Sequence, residues 1–416
     1  MGEKIKSIQS YEPIVGPAVL NQLRQLAGNL EGLKVIHVNS TKTGGGVAEI
    51  LTWMIAFMRE LGIDASWEVI SGNEPFFNTT KLFHNGLQGN PANLAAHHIR
   101  AYEETNRDNA DILRHKLEDA DIVFIHDPQP AMLLSLCPGR RGKWIWRCHI
   151  DASQPYRPVW KYLRPLLEGY DASIFSMAEF TRALPHPQFL VAPSIDPLSE
   201  KNVELPQKET DEIYDRFNLA PDRPILTQVS RFDRFKDPLG VIYGYKLARK
   251  CCPIQLVLAG GSADDDPEGA AVLQEVREAA QDDPDIHVLM LPPDAHRTIN
   301  ALQRCSDIII QKSTREGFGL TVTEGLWKGK PVIGGQVGGI ALQVINHHTG
   351  FLVNSPEGMA QRVRYLINHR ETMKTMGNKG REFVRENFLL TRHLREYLTL
   401  MVGLRRGFSS RLIAAA

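Results

Sequence analysis

The sequence predicts an α/β protein with two Rossmann-like, doubly wound parallel sheets, and three observations carry that prediction. Short apolar runs alternate with helical patterns along almost the whole chain. The runs are solid rather than alternating, which marks parallel strands buried on both faces. They number about ten, too many for one comfortable open sheet. A stretch rich in proline and charge, PSIDPLSEKNVELPQKETD at 193–211, interrupts the rhythm.

The strand candidates are 34–40, 121–127, 143–150, 171–176 and 189–195, then 224–230, 254–260, 286–291, 307–313 and 330–335. Between them lie helices. In VAEILTWMIAFMRELG, residues Val47, Ile50, Leu51, Met54, Met58 and Leu61 recur on one face. DAHRTINALQRC (294–305) and TVTEGLWKGK (321–330) also read as helices. The βα alternation implies doubly wound sheets. The interruption sets the domain boundary near residue 198, giving domains 1–197 and 198–391. The amphipathic stretch 388–404 is free to pack on either domain.

Composition narrows the function classes. The 416 residues are 43% hydrophobic and 23% charged, an ordinary globular balance, and formal net charge is zero. No bulk field therefore favours nucleic acid or an acidic membrane. Five cysteines, an odd count with no CxxC pair, argue against a disulfide framework or a zinc site and fit a reducing cytoplasm. The polar start MGEKIKSIQSYEP has no apolar signal region, and Lys6 stands where myristoylation wants Ser or Thr. No apolar run is long enough for a membrane span.

Four stretches follow predicted strands, where doubly wound sheets bind ligands. In NSTKTGGGVAEIL, Gly44, Gly45 and Gly46 open a helix; they suit either a close approach to an anion or a plain tight turn. In QVSRFDRFKD, Arg231 and Lys236 suit phosphate, unless they merely pair with Asp233 and Asp237. In STREGFGLTVTEGLWKGKPVIG, Glu316 is expected on a strand-to-helix loop and Glu324 in the first turn of the helix, both facing one crevice. Gly317 and Gly319 would free the backbone around Phe318, Leu320 and Thr321 to meet a phosphate. Two carboxylates flanking such a nest suit the hydroxyls of a sugar nucleotide; either alone could instead serve a helix dipole or a salt bridge. Last, WRCHID and HDPQP put His149 and His126 at strand ends, where a structural histidine is the commoner case.

EGFGLTVTE resembles the E-x7-E motif of retaining glycosyltransferases of family 4, which have the GT-B fold. HVNSTKTGGGVAEIL, FFNTTKLFHNGLQG, HDPQPA, WRCHIDAS, PSIDPLSEKN and QVSRFD resemble the trehalose-forming branch of that family. The resemblance implies two Rossmann-like domains facing a central cleft, with the C-terminal helix crossing back so that 392–416 joins the first domain. It implies that Arg231 and Lys236 grip the donor diphosphate, that Glu316 holds donor-sugar hydroxyls and that Glu324 holds the ribose. The backbone around Gly319 and Leu320 becomes the phosphate and sugar nest, the glycines at 44–46 close over the donor, and His149 sits near the sugar's reacting carbon. Asn39 and Asp127 are placed near the acceptor.

The implied reaction moves glucose from a nucleoside-diphosphate-glucose to free glucose, giving α,α-1,1-trehalose by same-face attack. Fixed cations would meet the charge on the departing phosphate. No cofactor and no catalytic metal are expected, since Asp264, Asp265 and Asp266 precede Pro267 and read as a solvated loop or cap. The expected partners are the small-molecule substrates, with no nucleic acid and no membrane; a homodimer stays open. The rivals are a retaining trehalose phosphorylase, a family 4 enzyme with another acceptor, and a non-catalytic sugar-nucleotide sensor. A nicotinamide dehydrogenase lacks the required glycine spacing.

Overall fold

The computed structural model describes residues 6–42, 46–261, 267–281 and 283–407. The chain divides into two compact units, one of Met1–Ala192 with Thr391–Ala416 and one of Pro193–Leu390.

The first unit is built on a six-stranded parallel sheet. Its strands are β1 (Lys34–Asn39), β2 (Asp64–Val69), β3 (Ile122–His126), β4 (Lys143–Arg147), β5 (Ala172–Phe175) and β6 (Gln188–Leu190), in the order β2-β1-β3-β4-β5-β6. All five residues of β3 are buried, as a strand covered on both faces must be. The largest apolar cluster runs through Val38, Phe83, Tyr102, Val123, Trp144 and Trp146. The helix Gly46–Glu60 buries Ala48, Trp53, Ile55 and Phe57 besides Ile50, Leu51, Met54 and Met58, so it is covered on more than the one expected face. The helix Leu390–Arg406 belongs here: Arg392 donates to the Ala192 carbonyl at 2.8 Å, and the Tyr397 ring lies 5.1 Å from that of Phe124.

The second unit has its own six-stranded parallel sheet. It comprises β7 (Ile225–Val229), β8 (Gln255–Gly260), β9 (Ile286–Met290), β10 (Ile308–Gln311), β11 (Val332–Gly335) and β12 (Gly350–Val353), in the order β12-β11-β10-β7-β8-β9. Leu226, Leu256, Leu258, Ile308, Ile310 and Ile333 form the middle of its core. The interruption at 193–211 enters this unit early. Ile195 bridges to Leu389, and its N–H donates to the Phe388 carbonyl at 2.9 Å, so this unit begins at 193 where the sequence placed the boundary near 198.

Among the described residues there are twelve strands, where the sequence pointed to about ten. The two that escaped, β2 and β12, are both sheet edges. An edge strand is covered less completely, so it does not require a solid apolar run. DASWEV is only partly buried over most of its length, and GFLV is too short to stand out.

Candidate active site

Each sheet reverses direction once. In the second unit the chain starts at β7, adds β8 and β9 on one side, then returns to add β10, β11 and β12 on the other. The crevice beyond the carboxyl ends of β7 and β10 is therefore the switch point, where open α/β sheets bind ligands.

The loops after those two strands meet there. Lys236 Nζ lies 2.6 Å from Glu316 Oε2, with both side chains largely buried. Ser313 Oγ donates to the same oxygen at 3.2 Å and Gln311 Nε2 at 3.5 Å. All three described donors land on Oε2. Asp233 orders the loop by accepting from the Lys236 N–H at 3.1 Å, and Gln228 Nε2 donates to the Lys236 carbonyl at 2.8 Å. A second pair, Lys312 with Asp237, ties the two loops together beside the first. Lys236 thus pairs with Glu316 rather than with Asp237, the partner that the alternative reading of this loop gave it. Arg231 stands apart: its side chain is 66% exposed and its partner is Asp233 at 3.6 Å.

Gly319 takes φ +82° and ends the loop, and the helix Leu320–Trp327 follows. The first N–H groups of a helix have no partner within it, so those of Leu320 and Thr321 point to the loop side. The carbonyls behind them are held. Gln343 Nε2 donates to the Phe318 carbonyl at 2.6 Å, and the Gly339 N–H donates to the Gly317 carbonyl at 2.9 Å. Thr321 Oγ1 donates to Gln311 Oε1 at 3.2 Å.

Glu324 is not in the first turn of this helix, which contains no acid. The helix starts at Leu320, one residue earlier than expected, so Glu324 is its fifth residue; it is buried, with Gln303 Nε2 at 3.5 Å. Lys328 sits beside it, donating to Asn202 Oδ1 at 3.1 Å and to the Glu324 carbonyl at 3.3 Å; burial pulls its ammonium pKa down, against the pull of Glu324. The described contacts join Glu316 to Lys236 and put Glu324 in this second group.

A cavity of about 540 Å³ lies elsewhere in the same unit. Its walls include Arg223, Asp307 and Lys330, at the amino ends of β7, β10 and β11, away from the switch point.

In the first unit the switch point lies between β1 and β3. There His37 Nδ1 lies 3.0 Å from His126 Nε2, and His126 Nδ1 lies 2.9 Å from His149 Nε2. His37 and His126 are buried, while His149 keeps partial exposure. Burial pulls all three imidazole pKa values down, that of His37 to about 3. The rings bond in a row rather than converging, and the described residues contain no cluster suited to a metal.

Asp127 follows His126 with φ +63°, a conformation Asp tolerates better than most residues. Its Oδ1 accepts the His149 N–H at 2.7 Å, and burial pushes its carboxyl up to about 7. Arg147 is fully buried. Its Nη2 donates to Ser176 Oγ at 3.2 Å and to the Val191 carbonyl at 2.9 Å, leaving Nε and Nη1 without partners. Asn39 is 3% exposed: its Nδ2 donates to the Thr41 carbonyl at 2.7 Å and its Oδ1 accepts the Trp67 indole N–H at 2.8 Å. Both ends of its amide are therefore engaged, at the carboxyl end of β1. Gly46 opens the helix Gly46–Glu60, whereas Gly44, Gly45 and Asp264 to Asp266 lie outside the described residues.

Comparison with known proteins places this architecture. The family model described as "Trehalose synthase, N-terminal domain" matches residues 37–182, and "Glycosyl transferases group 1" matches 209–383. A trehalose synthase of Pyrococcus horikoshii is 44% identical over 96% of this chain and 97% of its own. The chain belongs to the trehalose synthase family. It is a glycosyltransferase. Similarity extends to a trehalose phosphorylase of Pleurotus pulmonarius, 29% identical over 97% of this chain but 62% of its own length. The fold is GT-B. A UDP-forming α,α-trehalose-phosphate synthase from Burkholderia xenovorans, solved with glucose-6-phosphate, matches with TM-score 0.70 at 12% identity, over 88% of this chain and 99% of its own.

Sequence reasoning passed over several residues at these two points. His37 interrupts the apolar run of β1, and a polar residue inside a fully covered strand signals a built partner. Arg147 carries the same signal at the end of β4. Gln311 closes β10 and Lys312 and Ser313 follow it; the expected strand ran on to 313 and did not show what these three polar residues would hold.

Proposed function

We propose that the protein transfers glucose from a nucleoside-diphosphate-glucose to free glucose, with retention, to give α,α-1,1-trehalose without a metal. The observation that carries the proposal is the buried Lys236–Glu316 pair at the switch point of the second sheet, beside the N-terminus of the helix Leu320–Trp327. Three donors saturate Glu316 Oε2 and so orient the carboxylate, which supports Oε1 as acceptor for donor-sugar hydroxyls. Lys236 then meets the charge that develops on the departing diphosphate, assisted by the N–H groups at Leu320 and Thr321. Exposed Arg231 supplies a second, mobile cation for that diphosphate. Glu324 is assigned to the ribose, and Gly44 to Gly46 to closure over the donor. His149 is assigned to the donor sugar, and Asp127 to the acceptor. The leaving phosphate oxygen takes the acceptor proton, so neither glutamate acts as a nucleophile.

The test is incubation with glucose and each of ADP-, UDP- and GDP-glucose, with and without a chelator, and identification of the disaccharide by NMR. The expected product is α,α-trehalose with release of the nucleoside diphosphate, unaffected by chelation. Turnover only with glucose 1-phosphate would establish the phosphorylase reading instead, and binding without turnover would establish the sensor.

A further inference from the structure

The imidazole row in the first unit has a direction, and its orphan atom reveals which. Each neutral imidazole carries one N–H, so the row is protonated in one of two ways. In the first, His37 Nδ1–H donates to His126 Nε2, His126 Nδ1–H donates to His149 Nε2, and His149 is left with a proton on Nδ1. In the second, every proton sits on the other nitrogen and His149 Nδ1 is bare. The two differ at the buried end. His37 Nε2 is enclosed and has no partner. In the first arrangement this atom is an unused lone pair; in the second it is a stranded N–H, the rarer and costlier defect. The rings against His37 are Phe124 at 4.5 Å and Tyr397 at 6.2 Å; Phe124 has no acceptor, and the Tyr397 hydroxyl makes no hydrogen bond to His37 Nε2.

We propose that His126 and His37 are positioning residues that lock His149 as the neutral Nδ1–H tautomer, so that it always presents a donor from the nitrogen outside the row. One partner of an imidazole sets which nitrogen is protonated on the other side. The backbone completes the alignment: Asp127, in its left-handed conformation, accepts the His149 N–H and so fixes the start of that residue as the row fixes its ring. Burial keeps the row neutral, and the Arg147 guanidinium adds to this at His126 and His149. His393, on the helix Leu390–Arg406, has its pKa lowered by burial first, then by Arg392, Arg147 and His126. Burial and the Arg147 guanidinium both disfavour an imidazolium at His149. His149 therefore donates to a sugar hydroxyl oxygen without adding charge near a reacting carbon that itself becomes positive. That last step rests on the function proposed above; the tautomer assignment does not.

The test reads the tautomer directly. In the full chain labelled with ¹⁵N-histidine, long-range ¹H–¹⁵N correlations, assigned by loss of a signal in His149→Gln, should show His149 protonated at Nδ1 and bare at Nε2. His126→Phe removes the donor, and His149 should shift toward the Nε2–H form, with kcat about tenfold lower and KM for glucose little changed. His126→Asn puts an amide donor near the position of Nδ1 and should restore both the tautomer and most of the turnover. His37→Phe, which does not touch His149, should give a mixture of tautomers and a smaller loss, and serves if His126→Phe fails to fold. An Nε2–H His149 in the unmodified chain, an unchanged tautomer in the folded Phe variants, or an Asn variant no better than Phe would each overturn the proposal. An Nδ1–H His149 in a chain that turns over no nucleotide-glucose would sink the functional reading and leave the tautomer assignment standing.

Discussion

Glu316 shows how one side chain serves stability and chemistry together. Removing it entirely strands the Lys236 ammonium, whose side chain is only 18% exposed, at a cost of about 1–3 kcal/mol. Glu316→Gln keeps the shape and a carbonyl oxygen for Ser313, but it gives up the charge that holds Lys236. Its kcat/KM should fall about 100-fold while the far-UV spectrum stays native; full activity in a folded Gln variant would remove Glu316 from the site. Asp127 makes a different case. Its carboxyl is raised to about 7, so near pH 5 the folded chain holds a proton that the unfolded chain has released. Above pH 7 both states are ionised, and the folded one carries a desolvated charge. Asp127→Asn keeps the acceptor for the His149 N–H without that charge. Its advantage over the parent should grow as pH rises from 5 to 8, by about 2–3 kcal/mol read from urea midpoints. An advantage that stays level over that range would contradict a raised carboxyl.

The loop before the helix Leu320–Trp327 is the element on which the proposed donor site depends, and glycines close it. Gly338 takes φ +45°, and a Cβ there would meet the Glu316 carbonyl oxygen at 1.8 Å. That oxygen belongs to backbone, so the clash cannot be relieved by rotating a side chain. Gly338→Ala should therefore lower the melting temperature and displace Glu316 at once. The expected cost is about 2 kcal/mol or more, with a loss of turnover well beyond what the lost stability explains. Gly28→Ala, at the end of the helix Pro17–Gly28, is the control: nothing lies within 4 Å of a Cβ at that position. If both variants melt and turn over alike, the close approach at Gly338 carries no function. The same helix shows where sequence reading stops. TVTEGLWKGK announced a helix by its apolar spacing, but its start depends on the left-handed Gly319, and a shift of one residue put Glu324 outside the first turn.

At the scale of the whole chain, the buried histidines set the response to acid. His37, His126, His149 and His393 all have folded-state pKa values below the ordinary 6.5. Between those values and 6.5 the unfolded chain binds protons that the folded chain refuses, so stability falls as pH drops. Asp127 acts in the opposite sense over the same window. Burial lowers His186 and His287 as well, so the imidazole protons refused outnumber the one that Asp127 retains and the net slope keeps its sign. The urea midpoint should therefore fall steeply between pH 6.5 and 5, and less steeply in His37→Phe. A midpoint level across that range would mean the imidazoles are not buried in their neutral form. Among the described residues no helix is long and apolar enough to cross a bilayer.

The sequence by itself determined the fold class and most strands, because a strand covered on both faces must be written as an apolar run: IVFIH in β3 and the isoleucines of β10 admit little else. It also carried the pair Glu316 and Lys236 as candidates, through the glycine-flanked loop and the basic loop that hold them. Which partners those residues take was decided only in three dimensions. Lys236 and Glu316 are 80 positions apart, and they meet because β7 and β10 are adjacent at the point where the strand order reverses. His37 and His126 are 89 apart and meet for the same reason at β1 and β3. Local spacing records what a strand must bury; it does not record which strand lies next to it, and side-chain pairs are set by that neighbour.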